Sequence, residues 1–150
     1  MILRLALEKA RVVARQVPGS LVLGADTVVV CHGRIFGKPQ NRMEARKMVC
    51  NLQGCSHFVW TGVALIWNEK GIAKTHTEKT EVVFRKLSSQ EVADYLSTAE
   101  PYDKAGGYAI QGTAGGWIEK WEGDYFNVMG LPLKWVMGEA NRLLSRLERF

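Results

Sequence analysis

Asp26 stands inside LVLGADTVVV, an otherwise apolar run over residues 21–30. An ionised carboxylate placed there must be paired, bound to a metal or turned into a cleft, because burying it alone costs several kcal/mol. The same side chain could instead cap a neighbouring turn. Lys38 lies in Gly37-Lys38-Pro39, where glycine lets the backbone approach a ligand and proline stiffens the exit. This suits an ammonium held towards a phosphate, and it equally suits a solvated loop lysine.

Asp103, Lys104 and Gln111 flank Ala105-Gly106-Gly107-Tyr108-Ala109-Ile110, a small-residue stretch able to close over a flat ring while its polar ends set the orientation. The Gln111 amide presents a donor beside an acceptor, the complement of N3–H and a carbonyl oxygen of uracil or thymine. The plainer readings are a glutamine serving a backbone partner at a strand end and an exposed Asp103–Lys104 pair worth under ~1 kcal/mol.

These residues need elements to position them. Leu5, Ala6, Ala10, Val13 and Val17 recur at near-helical spacing, and Pro18-Gly19 stops the helix they define. Residues 21–30 read as buried strands interrupted by the small polar block Gly24-Ala25-Asp26-Thr27, and His32-Gly33 as a hairpin turn before RIFGK. Asn41 with Glu44 opens a second helix whose apolar face is Ala45, Met48, Val49 and Leu52. SHFVWTGVALIW, apolar on both alternations, predicts a central strand covered on both faces, with IAKTHTEKTEVVF as its more polar return arm. Ser88 and Glu91 form another capping box, followed by Val92, Tyr95 and Leu96 on one side of a short helix that frays near Thr98. Residues 101–116 read as a glycine-rich loop suited to ligand approach. A last helix, opened by Pro132, carries Val136, Met137, Ala140, Leu143, Leu144 and Leu147 as its expected buried stripe, with Arg142, Arg146 and Arg149 suiting its C-terminal dipole.

At 150 residues the chain fits one domain, and 47% hydrophobic with 23% charged residues excludes global disorder. No apolar stretch is long enough to span a bilayer, and MILRLALEKARVVARQ reads as an amphipathic helix, not a signal peptide. Cys31, Cys50 and Cys55 are odd in number and lack C-x-x-C spacing, which argues against a disulfide framework and a zinc site and for a cytoplasmic home. His32, His57 and His76 are scattered, with no i, i+4 pair to share a metal. The net charge of +5 favours a polyanionic partner, nucleotide or nucleic acid. The absence of a basic run argues against nucleic acid; Trp117 and Trp121 with Lys120 between them are the sole stacking candidate, and all five tryptophans otherwise read as core or near-core.

In order, LVLGADTVVV, GRIFGKP, HFVWTGVAL, EPYDKAGGYAIQG and EGDYFNVMGLPL resemble the successive signature blocks of the Maf family, over nearly the whole chain. The resemblance implies a mixed α/β fold of the inosine-triphosphatase-like type, an elongated twisted sheet with flanking helices and a nucleotide cleft between two lobes. It implies hydrolysis of a nucleoside triphosphate to a monophosphate and pyrophosphate, aided by a divalent cation, Mg²⁺ or Mn²⁺. The stretch from Asp103 to Gly112 is similar to the subgroup acting on dTTP and UTP, in agreement with the reading of Gln111. Carried over by position, Asp26 would be the catalytic proton acceptor and a metal ligand. Thr27 and Gln111 would be specificity positions, and Lys38 and Lys9 basic residues facing the phosphates.

Family members begin with a strand and a Ser-Pro-Arg-Arg-like loop, and no such motif stands in this sequence. The expectation is therefore one N-terminally shortened Maf-like domain over residues 1–150. It would be a shortened pyrophosphatase, a nucleotide-binding or regulatory module without turnover, or a homodimer that covers the gap. Retention of Asp26, Lys38 and Gln111 favours the first.

Overall fold

Alanines 6, 10 and 14 form the buried face of α1 (Ile2–Gln16) in the computed structural model, which describes residues 1–147. Their spacing of four is the stripe by which a helix meets a sheet. Val13 and Val17, expected on that stripe, are exposed at 47% and 41%, because a helix this close to a sheet has room only for methyl groups.

The sheet has five strands in the order β2-β1-β3-β4-β5, every neighbouring pair antiparallel. β1 (Val22–Cys31) runs through the polar block at 24–27 without the expected interruption, since its pairing with β3 (Ser56–Trp67) is continuous from Val22↔Ile66 to Val30↔Phe58. β2 (Arg34–Phe36) pairs only with residues 29–31 of β1, so the first part of β1 is a sheet edge. The connecting turn has His32 and Gly33 at φ 49° and 73°, the left-handed pair that a two-residue hairpin needs. β3 is central, between β1 and β4 (Ile72–Phe84), and β5 (Ile118–Glu122) closes the far side.

Strand alternation sends Ala64 and Ile66 towards α1 and sends Val29, Val59, Val82 and Phe84 to the opposite face. There they pack against α2 (Arg42–Leu52), α3 (Ser89–Leu96) and the segment 105–118. Asn41 accepts from the Glu44 backbone, while Glu44 reaches Gln40 N at 2.8 Å, so the α2 box closes one residue early. At α3 the box of Ser88 and Glu91 is complete. A hydrogen bond from Arg85 at 2.6 Å, more than any other contact, holds the Glu91 carboxyl down to about 2. Residues 101–116 wind into short 3₁₀ turns, and Tyr108, Ile110 and Ala114 enter the core there.

α4 (Tyr125–Val128) precedes α5 (Leu133–Leu147). α5 buries Val136 and Leu143 of the expected stripe, with Glu139 between them, but leaves Met137, Leu144 and Leu147 51%, 46% and 38% exposed. Trp135 stacks on His76 of β4 at 4.8 Å, which sets the rotation of the helix. Arg149 lies outside the described residues. Trp67 and Trp117 are buried, whereas Trp121 on the outer strand is 50% exposed. Among the described residues no helix is long and apolar enough to cross a membrane.

Candidate active site

Two glycines seat α1 on the sheet. A Cβ at Gly24 would stand 2.3 Å from the Ala6 carbonyl oxygen, and one at Gly62 would stand 2.9 Å from the Ile2 carbonyl carbon. The bare backbone at both sites lets the helix approach and lays Lys9 over β1. Lys9 Nζ lies 2.5 Å from Asp26 Oδ1 and donates at 3.4 Å to the Ala25 carbonyl. Asp26 faces Gly62 across the β1–β3 register, so no β3 side chain shields it, and its side chain is 18% exposed. Among the described residues only Oδ1 accepts a hydrogen bond, which leaves Oδ2 open.

Lys38 and Lys104 line the same cleft as this carboxylate. Gly106 N donates to Gly37 O at 3.0 Å, tying the turn at 105–107 to the Gly-Lys-Pro loop. Asp103 stands between the two ammonium groups, 3.7 Å from Lys38 and 3.9 Å from Lys104. All three side chains are more than half exposed. Such pairs contribute under ~1 kcal/mol and are readily exchanged for an incoming anion.

The remaining wall is apolar, from Val29, Val59, Tyr108, Val128 and Met129. Tyr108 is anchored by its hydroxyl, 2.8 Å from His57 Nε2 in the core. Residues 128–130 are held by Asn127, which is fully buried and donates to the Val59 carbonyl at 3.1 Å and to Thr80 Oγ1 at 3.0 Å. Thr80 in turn donates to the Asp124 carbonyl at 2.8 Å, and Asp124 caps α4 through Phe126 N. At the foot of this wall Thr27 Oγ1 lies 2.9 Å from Thr61 Oγ1 and 3.4 Å from the Gly130 carbonyl.

Lys9, Asp26, Thr27, Lys38, Asp103 and Lys104 thus line one cleft of about 250 Å³. Gln111 is exposed and lies outside that lining. Ile110 beside it turns into the core, and Gly112 N closes the turn back on Ala109 O at 3.1 Å. Tyr108 and Gly130 also line the cleft, and Thr61 and Asn127 support it from behind, none of them a residue the sequence marked for chemistry. The signal for all four was the set of family-like blocks: Thr61 falls in HFVWTGVAL, Tyr108 in EPYDKAGGYAIQG, and Asn127 and Gly130 in EGDYFNVMGLPL.

A larger cavity, of about 810 Å³, lies between β4, residues 123–126 and α5. Its charges are mostly spent on one another, His76 with Glu78 at 2.7 Å and Arg142 with Glu139 at 3.1 Å, and it holds none of the expected residues. The smaller cleft is where reactive groups converge.

Among the described residues no cluster of three or more His, Cys, Asp or Glu could hold a metal ion. Asp26 and Asp103 offer hard carboxylate oxygens in the cleft, and Mg²⁺ is commonly held by one or two carboxylates together with waters and substrate phosphates. The donor set fits a cation that arrives with a phosphate ligand and does not fit an all-protein cage.

The site is thus a carboxylate on the part of β1 left unpaired by β2, with lysines and an apolar slot lining the same cleft of an α/β domain. Residues 1–143 match the Maf-like protein family, and the chain belongs to it. It is 49% identical over 134 residues to the dTTP/UTP pyrophosphatase of Syntrophus aciditrophicus (strain SB), covering 89% of this chain and 65% of that protein. It is 45% identical over 144 residues to the dTTP/UTP pyrophosphatase of Citrifermentans bemidjiense, covering 96% and 74%. The dTTP/UTP pyrophosphatase of a Bacillus cereus strain is 43% identical over all 150 residues and 74% of its own length. The chain spans about two thirds to three quarters of these curated relatives.

Proposed function

We propose that this protein is a nucleoside triphosphate pyrophosphatase acting on dTTP and UTP in the cytoplasm. The observation that carries the reading is the Asp26 carboxylate, one oxygen held by Lys9 and the other open to a cleft rimmed by Lys38 and Lys104. The names of the relatives agree with it.

The triphosphate lies along the lysines and the pyrimidine enters the apolar slot. Asp26 takes a proton from a water whose oxygen forms a bond to the α-phosphorus. The bond from that phosphorus to the α,β-bridging oxygen breaks, and pyrophosphate leaves with the bridging oxygen. Lys9 keeps Asp26 aimed, while Lys38 and Lys104 offset charge on the departing group. A divalent cation, Mg²⁺ or Mn²⁺, held by Asp26 together with the phosphates would supply further charge neutralisation. Gln111 would meet the base only after the turn at 109–112 closes on it.

The test is pyrophosphate release from dTTP, UTP, CTP, ATP and GTP with Mg²⁺ or Mn²⁺, comparing the chain with Asp26→Asn. Metal-dependent release from dTTP and UTP that falls by about 10²–10⁴ in the variant is expected for loss of a general base. A folded wild-type chain that binds UTP and releases nothing would leave a nucleotide-binding module instead.

A further inference from the structure

Thr61 is fully buried in the middle of the central strand, paired with Thr27 on one side and Glu78 on the other. Its hydroxyl has one partner among the described residues, Thr27 Oγ1 at 2.9 Å. A buried hydroxyl proton must be donated somewhere. Either hydroxyl could donate across this contact, but among the described residues Thr61 has no other partner, so the arrangement that strands neither proton has Thr61 donating and Thr27 accepting.

That assignment fixes what Thr27 can offer. Its own proton must point elsewhere, and the protein gives it only the Gly130 carbonyl at 3.4 Å, well beyond the roughly 2.5–3.0 Å of a good O–H···O bond. The proton is weakly held at the wall of the cleft, which Val59, Val128 and Met129 also line. In the pyrimidine nucleotide reading, this apolar end receives the ring.

We propose that Thr61 is a specificity-positioning residue: by donating to Thr27 it commits the Thr27 hydroxyl to act as a donor towards the base. A donor there suits the 4-carbonyl of uracil and thymine and rejects the 4-amino group of cytosine, which is itself a donor. Thr61 touches no substrate and acts only through Thr27. The inference rests on the pyrimidine nucleotide reading of this cleft.

The experiment is a double-mutant cycle on Thr27→Val and Thr61→Val, with Thr61→Ser as the conservative variant, reading KM and kcat for UTP and CTP. Thr61→Val keeps the shape of the side chain, and a thermal melt confirms that it folds. Expected is a rise of about tenfold in KM for UTP with kcat within about twofold, the loss of one oriented hydrogen bond. The preference for UTP over CTP narrows by the same factor, and Thr61→Ser restores both. In the Thr27→Val background Thr61→Val adds nothing, as required of residues acting in series. An unchanged KM, an equal rise for UTP and CTP, or an additive effect on Thr27→Val would overturn the proposal. If the wild type binds UTP without releasing pyrophosphate, the same cycle is read in dissociation constants. The hydrolytic reading then fails while the Thr61 inference is still decided.

Discussion

Lys9 Nζ lies 2.5 Å from Asp26 Oδ1, joining a helix to a strand 17 residues further along the chain. Lys9 is 57% exposed, so the pair contributes little to stability, and its value is in orientation. Lys9→Met should melt like the wild type and lose about tenfold or more in kcat/KM for UTP, as expected for removal of a group that aims a base. Lys9→Arg should recover part of that loss. Equal kcat/KM in Lys9→Met and wild type would show that Asp26 is aimed by something else.

The helix that carries Lys9 depends on Gly24. An alanine there would place its Cβ 2.3 Å from Ala6 O and 2.8 Å from Ala10 Cβ. Overpacking against backbone costs about 3 kcal/mol, near 10 °C of melting temperature for a chain of this size. Activity should fall further than stability, because α1 can relieve the clash only by lifting Lys9 off Asp26. Gly138 in α5 is the contrast: a Cβ there meets nothing within 4 Å, and Gly138→Ala should stabilise by up to about 1 kcal/mol through helix propensity. Paired calorimetric melts decide both.

His57 is fully buried, and burial pushes its imidazole down from 6.5 to about 4. The fold therefore refuses a proton that the unfolded chain accepts. The associated stability is complete above pH 6.5 and drains away as pH falls towards 4. Urea denaturation at pH 7 and pH 5 should differ by about 2 kcal/mol. His57→Phe should be less stable at neutral pH, since Tyr108 loses its partner, yet nearly level across that window. Equal wild-type stability at both pH values would contradict the assignment.

Local chemistry made much of this fold legible. Ser88 with Glu91, the His32-Gly33 turn and the doubly apolar run of β3 each announce their structure through neighbours a few residues away. What escaped was decided at longer range. Val13 and Val17 have the right spacing for a buried stripe, but Gly24 and Gly62 bring the sheet so near that only alanines fit. Met137 and Leu144 likewise fit the period of α5, while the stacking of Trp135 on His76 turns them outwards. In the site, Asp26 stood out because a charge in an apolar run is conspicuous. Thr61 did not, since its meaning lies in the Thr27 opposite it, and strand register is invisible before pairing. Gln111 has the right functional group for a base edge and stands outside the cleft lining, beside the buried Ile110.

The two ends of the cleft also differ in when they can exist. α1, β1 and β3, which set Lys9 on Asp26, are complete by Trp67, whereas the Thr27 contact to Gly130 spans 103 residues. At a synthesis rate of roughly 5–20 residues per second, about sixty further residues keep the nascent chain waiting on the order of ten seconds. During that interval it carries the Lys9–Asp26 pair without Lys104 or the wall at residues 128–130, and the slower closure of the long loop completes the pocket last.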